Sequence, residues 1–140
     1  MNHPTTLEYI AKWAANTSRE WPKTSSIPAV QAITDTLACI VSGATDVAAL
    51  GVRKTVNGWS EGSNGATIFC SPNRAIAPLA AFANGAAAHA QDFDDNFPAA
   101  LTHASAVLVP ALLSLGEEIN ASGAEIIDAY LVGLECHAAI

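Results

Sequence analysis

Residues 73–95, NRAIAPLAAFANGAAAHAQDFDD, pass from an apolar, alanine-rich stretch directly into a knot of acids. After Asn73, a good capping residue, the apolar positions Ile76, Leu79, Ala80, Ala83 and Ala87 recur at helical spacing and predict a helix over Ala75 to Ala90. Alanine at most of its other positions makes a thin helix that neighbours can approach closely.

The flanking sequence is helical on both sides. Leu7, Ile10, Ala11 and Ala14, after Thr5 and Thr6, predict a short first helix that Trp13 helps to bury. A polar stretch from Asn16 to Ser26 separates it from a second helix with the face Val30, Ile33, Leu37, Ile40 and Val41, Pro28 near its start and Gly43 beyond its end. Asp46 is placed to cap a third helix through Ala49, Val52 and Val56, ending at Asn57-Gly58. The turn from Glu61 to Gly65 leads into Ala66 to Phe69, the one plausible strand. Beyond a polar loop from Asp92 to Thr102, Val107 to Ile119 reads as a helix with Pro110 in its first turn and Asn120 at its close. Ser122 and Glu125 form a capping box for a last helix using Ile126, Ile127, Tyr130, Leu131 and Leu134. The expected fold class is therefore all-α and bundle-like, a single domain over 1–140, and the abrupt end of the last helix reads as a cut rather than a finish.

Composition narrows the function. The chain is 51% hydrophobic, with 13 acidic and 6 basic residues and a net charge of -7, which argues against a nucleic-acid partner. Its longest strongly apolar run, Ala104 to Leu115, falls short of the roughly 20 residues of a membrane span, so no membrane partner is expected. The first residues lack a secretory pattern, and Cys39, Cys70 and Cys136 read as buried thiols; together these predict a cytoplasmic protein. Trp13, Trp21 and Trp59 are expected to be core or interface anchors.

Against this background His89, Asp92, Asp94, Asp95, Asn96, Thr102, His103 and Ser105 stand out. Were the helix to persist past His89, Asp92 would share its face and could orient the imidazole for proton transfer. The competing reading is a solvated loop with exposed aspartates and a structural His89. Asp92, Asp94 and Asn96 match the start of a calcium loop, but Phe97 and His103 occupy the positions that need glycine and glutamate, which excludes a calcium hand; with no H-E-x-x-H or paired C-x-x-C spacing to raise a magnesium or zinc site, no metal is expected. Neither a G-x-S-x-G elbow nor a phosphate-loop lysine is present.

The run N-G-x-x-x-H-x-x-D-F-D-D at 84–95, followed by Thr102-His103-Ala104-Ser105 and an apolar helix, resembles the MmgE/PrpD family of 2-methylcitrate dehydratase-like enzymes. That resemblance extends over the whole chain but covers about the first third of a family member, which implies the first part of a large helical domain without its smaller lid domain. It implies a usually homodimeric enzyme that moves a proton next to a carboxylate of a small di- or tricarboxylate without a cofactor. The outcome is dehydration, decarboxylation or epimerisation of an amino- or imino-dicarboxylate. Carried onto this sequence, the catalytic residues are His103, as proton carrier, and Asp92, with Asn96, Thr102 and His89 contacting substrate. Two positions depart from the family pattern: Asn96 stands in place of a threonine, and Ala104 in place of a proline. A helical dimerisation scaffold without activity is the remaining alternative. Because all six basic residues lie outside the cluster, cationic groups for a polycarboxylate must come from elsewhere, and the 140 residues alone are expected to be inactive.

Overall fold

The computed structural model describes residues 4–60 and 65–140; His3 and most of the turn expected after Glu61 lie outside the described residues. Among the described residues, six helices and one small hairpin follow in the order α1 (Thr6–Asn16), α2 (Lys23–Gly43), α3 (Val47–Trp59), β1 (Ala66–Thr67), β2 (Arg74–Ala75), α4 (Ala77–His89), α5 (Ala104–Ile119) and α6 (Gly123–Ala138).

The alanine-rich helix α4 is the hub, packed against α2, α3 and α5. Ala80, Ala83, Ala87 and Ala88 are buried along it, and the absence of larger side chains lets partner backbones come near. At the crossing with α2 the approach is close enough that a Cβ on Gly43 would stand 2.1 Å from the Ala87 carbonyl oxygen. At the crossing with α5, a Cβ on Gly85 would meet the Ala106 carbonyl oxygen at 3.2 Å. Pro110, one turn on, has no N–H to offer that carbonyl, so the oxygen is left facing α4.

Three apolar clusters make up the core. One joins Val56 of α3 to Ala66, Ile68 and α4; another joins Ile40 and Ala49 to Ala87, Ala88 and Ala106; the last gathers Ala29, Val109, Tyr130 and Leu131. Ile127 and Leu134 pack against this last cluster.

Several helix boundaries differ from the expected ones, each for a physical reason. Helix α2 starts at Lys23, because the Ser25 and Ser26 N–H groups donate to the Pro22 carbonyl and close the first turn early; Pro28 therefore lies inside the helix, and Gly43 is its last residue. Helix α5 starts at Ala104, which places Pro110 in its interior rather than its first turn. Asn73 does not cap α4. Arg74 and Ala75 instead pair antiparallel with Thr67 and Ala66 in a second strand, and α4 begins at Ala77, whose N–H donates to Glu118 at 2.7 Å. The alanine periodicity continues through that strand and hides it.

Peripheral expectations also change. Helix α1 buries no residue, Trp13 and Trp59 are exposed, and Trp21 alone among the tryptophans packs onto a core cluster. None of the cysteines is buried: Cys70 is exposed, whereas Cys39 and Cys136 are half-buried. Burial, joined by the negative charges of Asp35, Asp94 and Asp95, pushes the Cys39 thiol up and keeps it protonated. By length and composition α2 would suffice to cross a bilayer; in the fold it packs against α4, α5 and α6.

The remaining signals hold. Asp46 accepts from the Ala48 N–H at 2.8 Å, Asn120 ends α5 in the left-handed conformation, and Ser122 and Glu125 cap α6 reciprocally.

Candidate functional site

The site is built where α4 ends and α5 begins. His89 is the last helical residue of α4, and the chain then turns sharply: the Asp92 N–H donates to the His89 carbonyl at 3.1 Å, with Asp92 itself at φ 55. Left-handed backbone of this kind is uncommon outside glycine, although aspartate tolerates it better than most residues. The turn breaks the helical register that would have placed Asp92 beneath His89. Asp94 takes that position, its two carboxylate oxygens 2.9 and 3.1 Å from His89 Nδ1. The expected His89–Asp92 pair is thus replaced by a His89–Asp94 pair.

The loop returns through a bridge between Phe97 and Thr102 and delivers His103 to the first turn of α5. His103 occupies the N-cap position without capping the helix. Asp95 supplies the cap from the loop, accepting from the Ser105 N–H at 3.1 Å and from the Ser105 hydroxyl at 2.7 Å. The same hydroxyl meets the Tyr130 phenol at 2.6 Å, which ties the loop to α6. Burial and the Asp95 charge hold the Tyr130 phenol above its ordinary range, against the opposing hydrogen bond from Ser105.

Relieved of capping, the His103 ring lies beside His89, with centroids 4.6 Å apart. Its Nδ1 is 3.3 Å from Asp94 Oδ2 and its Nε2 is 3.7 Å from Asp92 Oδ1. The Nδ1 atom is buried and makes no aligned hydrogen bond, so its contact with Asp94 is one of charge and proximity. The three aspartates therefore occupy three environments: Asp92 is exposed, Asp95 half-buried, and the Asp94 carboxylate has no exposed surface.

A cleft of about 620 Å³ opens onto this cluster, and His89, Thr102 and His103 line it together with the apolar Phe82, Leu101 and Val107. Three of the five expected site residues thus share one cleft. Asp92 stands beside it through His103, and Asn96 is exposed on the loop outside the lining. Among the described residues, no lysine or arginine lines it. A second cleft, of about 530 Å³ beside the hairpin, has Glu117 as its sole ionisable lining group among the described residues, and that carboxylate is already held by Thr67 and Arg74.

His89, Asp92, Asp94 and His103 each bring a ligand atom within 4.8 Å of the others, close enough to chelate a divalent cation.

Sequence reasoning noticed Asp94 and Asp95 only as members of an acidic run. What distinguishes them is the αL turn at Asp92 and the contact with Ser105, neither of which has a local sequence signature.

The run that carries the family resemblance has a physical reading. Asn84, buried, accepts from the Phe69 N–H and donates to the Thr67 carbonyl, both at 2.9 Å, and so takes the place of a third strand beside β1. Gly85 and the alanines after it allow the close helix crossings, His89 and Asp94 pair, and Asp95 caps α5.

Comparison with known proteins agrees. The chain is 38% identical to the cis-aconitate decarboxylases of Homo sapiens and of Mus musculus over 74 residues, a match covering 49% of this chain and 15% of each relative. No solved structure matches. The family model for the MmgE/PrpD N-terminal domain matches residues 8–140, and the chain belongs to the MmgE/PrpD family.

Proposed function

We propose that these residues form part of a lyase that moves a proton next to a carboxylate of a small di- or tricarboxylate, by dehydration or decarboxylation. One observation carries the reading: His103 faces a cleft with Asp92 within 3.7 Å of its Nε2 and Asp94 within 3.3 Å of its Nδ1. A histidine so placed can take up and return a proton at its ring nitrogen, with carboxylates beside the ring.

In a dehydration, His103 takes the proton from the carbon beside the carboxylate as the hydroxyl departs from the neighbouring carbon. In a decarboxylation it returns a proton to the carbon from which carbon dioxide has left. Asp92 orients the ring or the substrate. Thr102 and His89 supply contacts from the cleft wall, and Asn96 joins them on the family resemblance alone. The mechanism invokes no metal or other cofactor.

A polycarboxylate needs cations, and none lines the cleft among the described residues. The matched stretch is 15% of the relatives' length, which leaves ample chain elsewhere to supply them. Phe82, Leu101 and Val107 leave an apolar mouth that further chain or a second copy would cover, which supports a homodimer; the cytoplasmic location is carried by the sequence reading alone.

The proposal is tested by substituting His103→Ala in a full-length protein and assaying a panel of di- and tricarboxylates. Turnover falling by about 10² or more supports it; unchanged turnover removes His103 from the mechanism and favours the scaffold reading. Racemisation of an amino- or imino-dicarboxylate without loss of water or carbon dioxide would favour the epimerase alternative.

A further inference from the structure

Asp94 has no assigned part in the chemistry above, yet it is the residue around which the site is arranged. Its carboxylate has no exposed surface, and among the described residues its ion-pair partners are His89 and His103. A carboxylate removed from water needs donors. Two imidazole Nδ1 atoms, at 2.9 and 3.3 Å, are what the fold provides. The His103 Nδ1 has the matching need, since it is buried and, among the described residues, has no hydrogen-bond partner, with Asp94 the carboxylate beside it.

We propose that Asp94 is the positioning residue of this site: it accepts the Nδ1–H of His89 in a hydrogen bond and faces the His103 Nδ1 at 3.3 Å without an aligned one, so that its charge keeps the proton of each neutral ring on Nδ1 and leaves Nε2 as the lone-pair nitrogen. An ionised carboxylate only accepts, so a ring nitrogen facing it carries the proton, and the opposite nitrogen is left to act as base or acceptor. For His103 that nitrogen is the one beside Asp92. For His89 it is the edge of a ring that is half exposed and lines the same cleft, which makes His89 a second proton-accepting group within reach of a bound substrate. This inference rests on the proposed proton-transfer role of His103 for its kinetic consequence, but not for its structural content.

The test therefore has two arms in the full-length protein. Nitrogen-15 NMR of the imidazole rings reads the tautomer directly, whether or not a substrate is known. Nδ1–H forms for both His89 and His103, lost from at least one ring in Asp94→Asn, support the proposal. Nε2–H forms in the unaltered protein overturn it, and that spectrum decides the matter even where the variant fails to fold. In the kinetic arm, Asp94→Asn lowers kcat by about 10- to 10⁴-fold with KM little changed, a range that runs from the loss of an outer partner of a ligating imidazole to the loss of the aspartate that orients a reacting one. A folded Asp94→Asn variant with full kcat overturns the positioning role. Nδ1–H tautomers together with a fully active His103→Ala variant would instead sink the proposed function and leave the Asp94 arrangement standing.

Discussion

Asp95 accepts hydrogen bonds from both the backbone N–H and the hydroxyl of Ser105, so a residue in the site loop caps the helix that follows it. The geometry of the loop and the start of α5 are consequently one unit. Asp95→Ala removes that cap and leaves the buried Ser105 hydroxyl with Tyr130 alone, at an expected cost of about 1–3 kcal/mol. Because Asp94 and His103 sit on either side of the same loop, turnover should fall as well. Equilibrium denaturation of the variant, set beside its activity, checks both; an unchanged unfolding midpoint would show that the cap is not needed.

Asn84 bridges the Phe69 N–H and the Thr67 carbonyl from a fully buried position. Asn84→Ala leaves two backbone groups without partners and should destabilise the fold by about 2–4 kcal/mol. Urea denaturation measures the loss, and a cost below half a kcal/mol would mean that water reaches the site.

Gly43 and Gly51 offer opposite outcomes from one substitution. Alanine is favoured over glycine in a helix by about 1 kcal/mol. At Gly51 of α3 nothing lies within 4 Å of an added Cβ, so Gly51→Ala should stabilise by up to that amount. At Gly43 the Cβ would stand 2.1 Å from the Ala87 carbonyl oxygen, and the helices would have to separate. Gly43→Ala should destabilise by about 1–3 kcal/mol despite its better propensity. Two melting curves decide, and a stabilised Gly43→Ala would refute the close α2–α4 crossing.

Partial burial alone would raise the Glu117 carboxyl, but the hydrogen bonds from the Thr67 N–H, the Thr67 hydroxyl and Arg74, with the Arg74 charge, outweigh it and hold the group below its ordinary 4.5. A carboxyl lowered on folding stabilises the fold above its unfolded value and loses that contribution as pH falls through its folded value. Glu117→Gln should therefore cost most stability above about pH 4.5, with the gap to the unaltered protein closing in more acidic solution. Thermal melts from neutral to acidic pH read this, and a gap that widens on acidification would contradict it.

Much of this fold is legible because its signals are local. The Ser122–Glu125 box, the Asp46 cap and Asn120 each act within a few residues of themselves, and the sequence places them correctly. The hairpin strand at Arg74–Ala75 is invisible because alanine spacing there also fits a helix, and what selects the strand is pairing with Ala66 and Thr67. Histidines and aspartates can be seen to cluster, yet which aspartate meets which histidine depends on the αL turn at Asp92 and on the anchoring of Asp95 by Ser105. Spacing alone favours His89 with Asp92; the turn gives His89 to Asp94 and leaves Asp92 to His103.

Solvent deuterium exchange gives the most direct test of proton transfer by His103. A full-length protein incubated in heavy water with its polycarboxylate substrate should place deuterium on the carbon next to the carboxylate. The His103→Gln variant, still folded by circular dichroism, should place little or none. Equal deuterium incorporation by the two proteins would contradict the account.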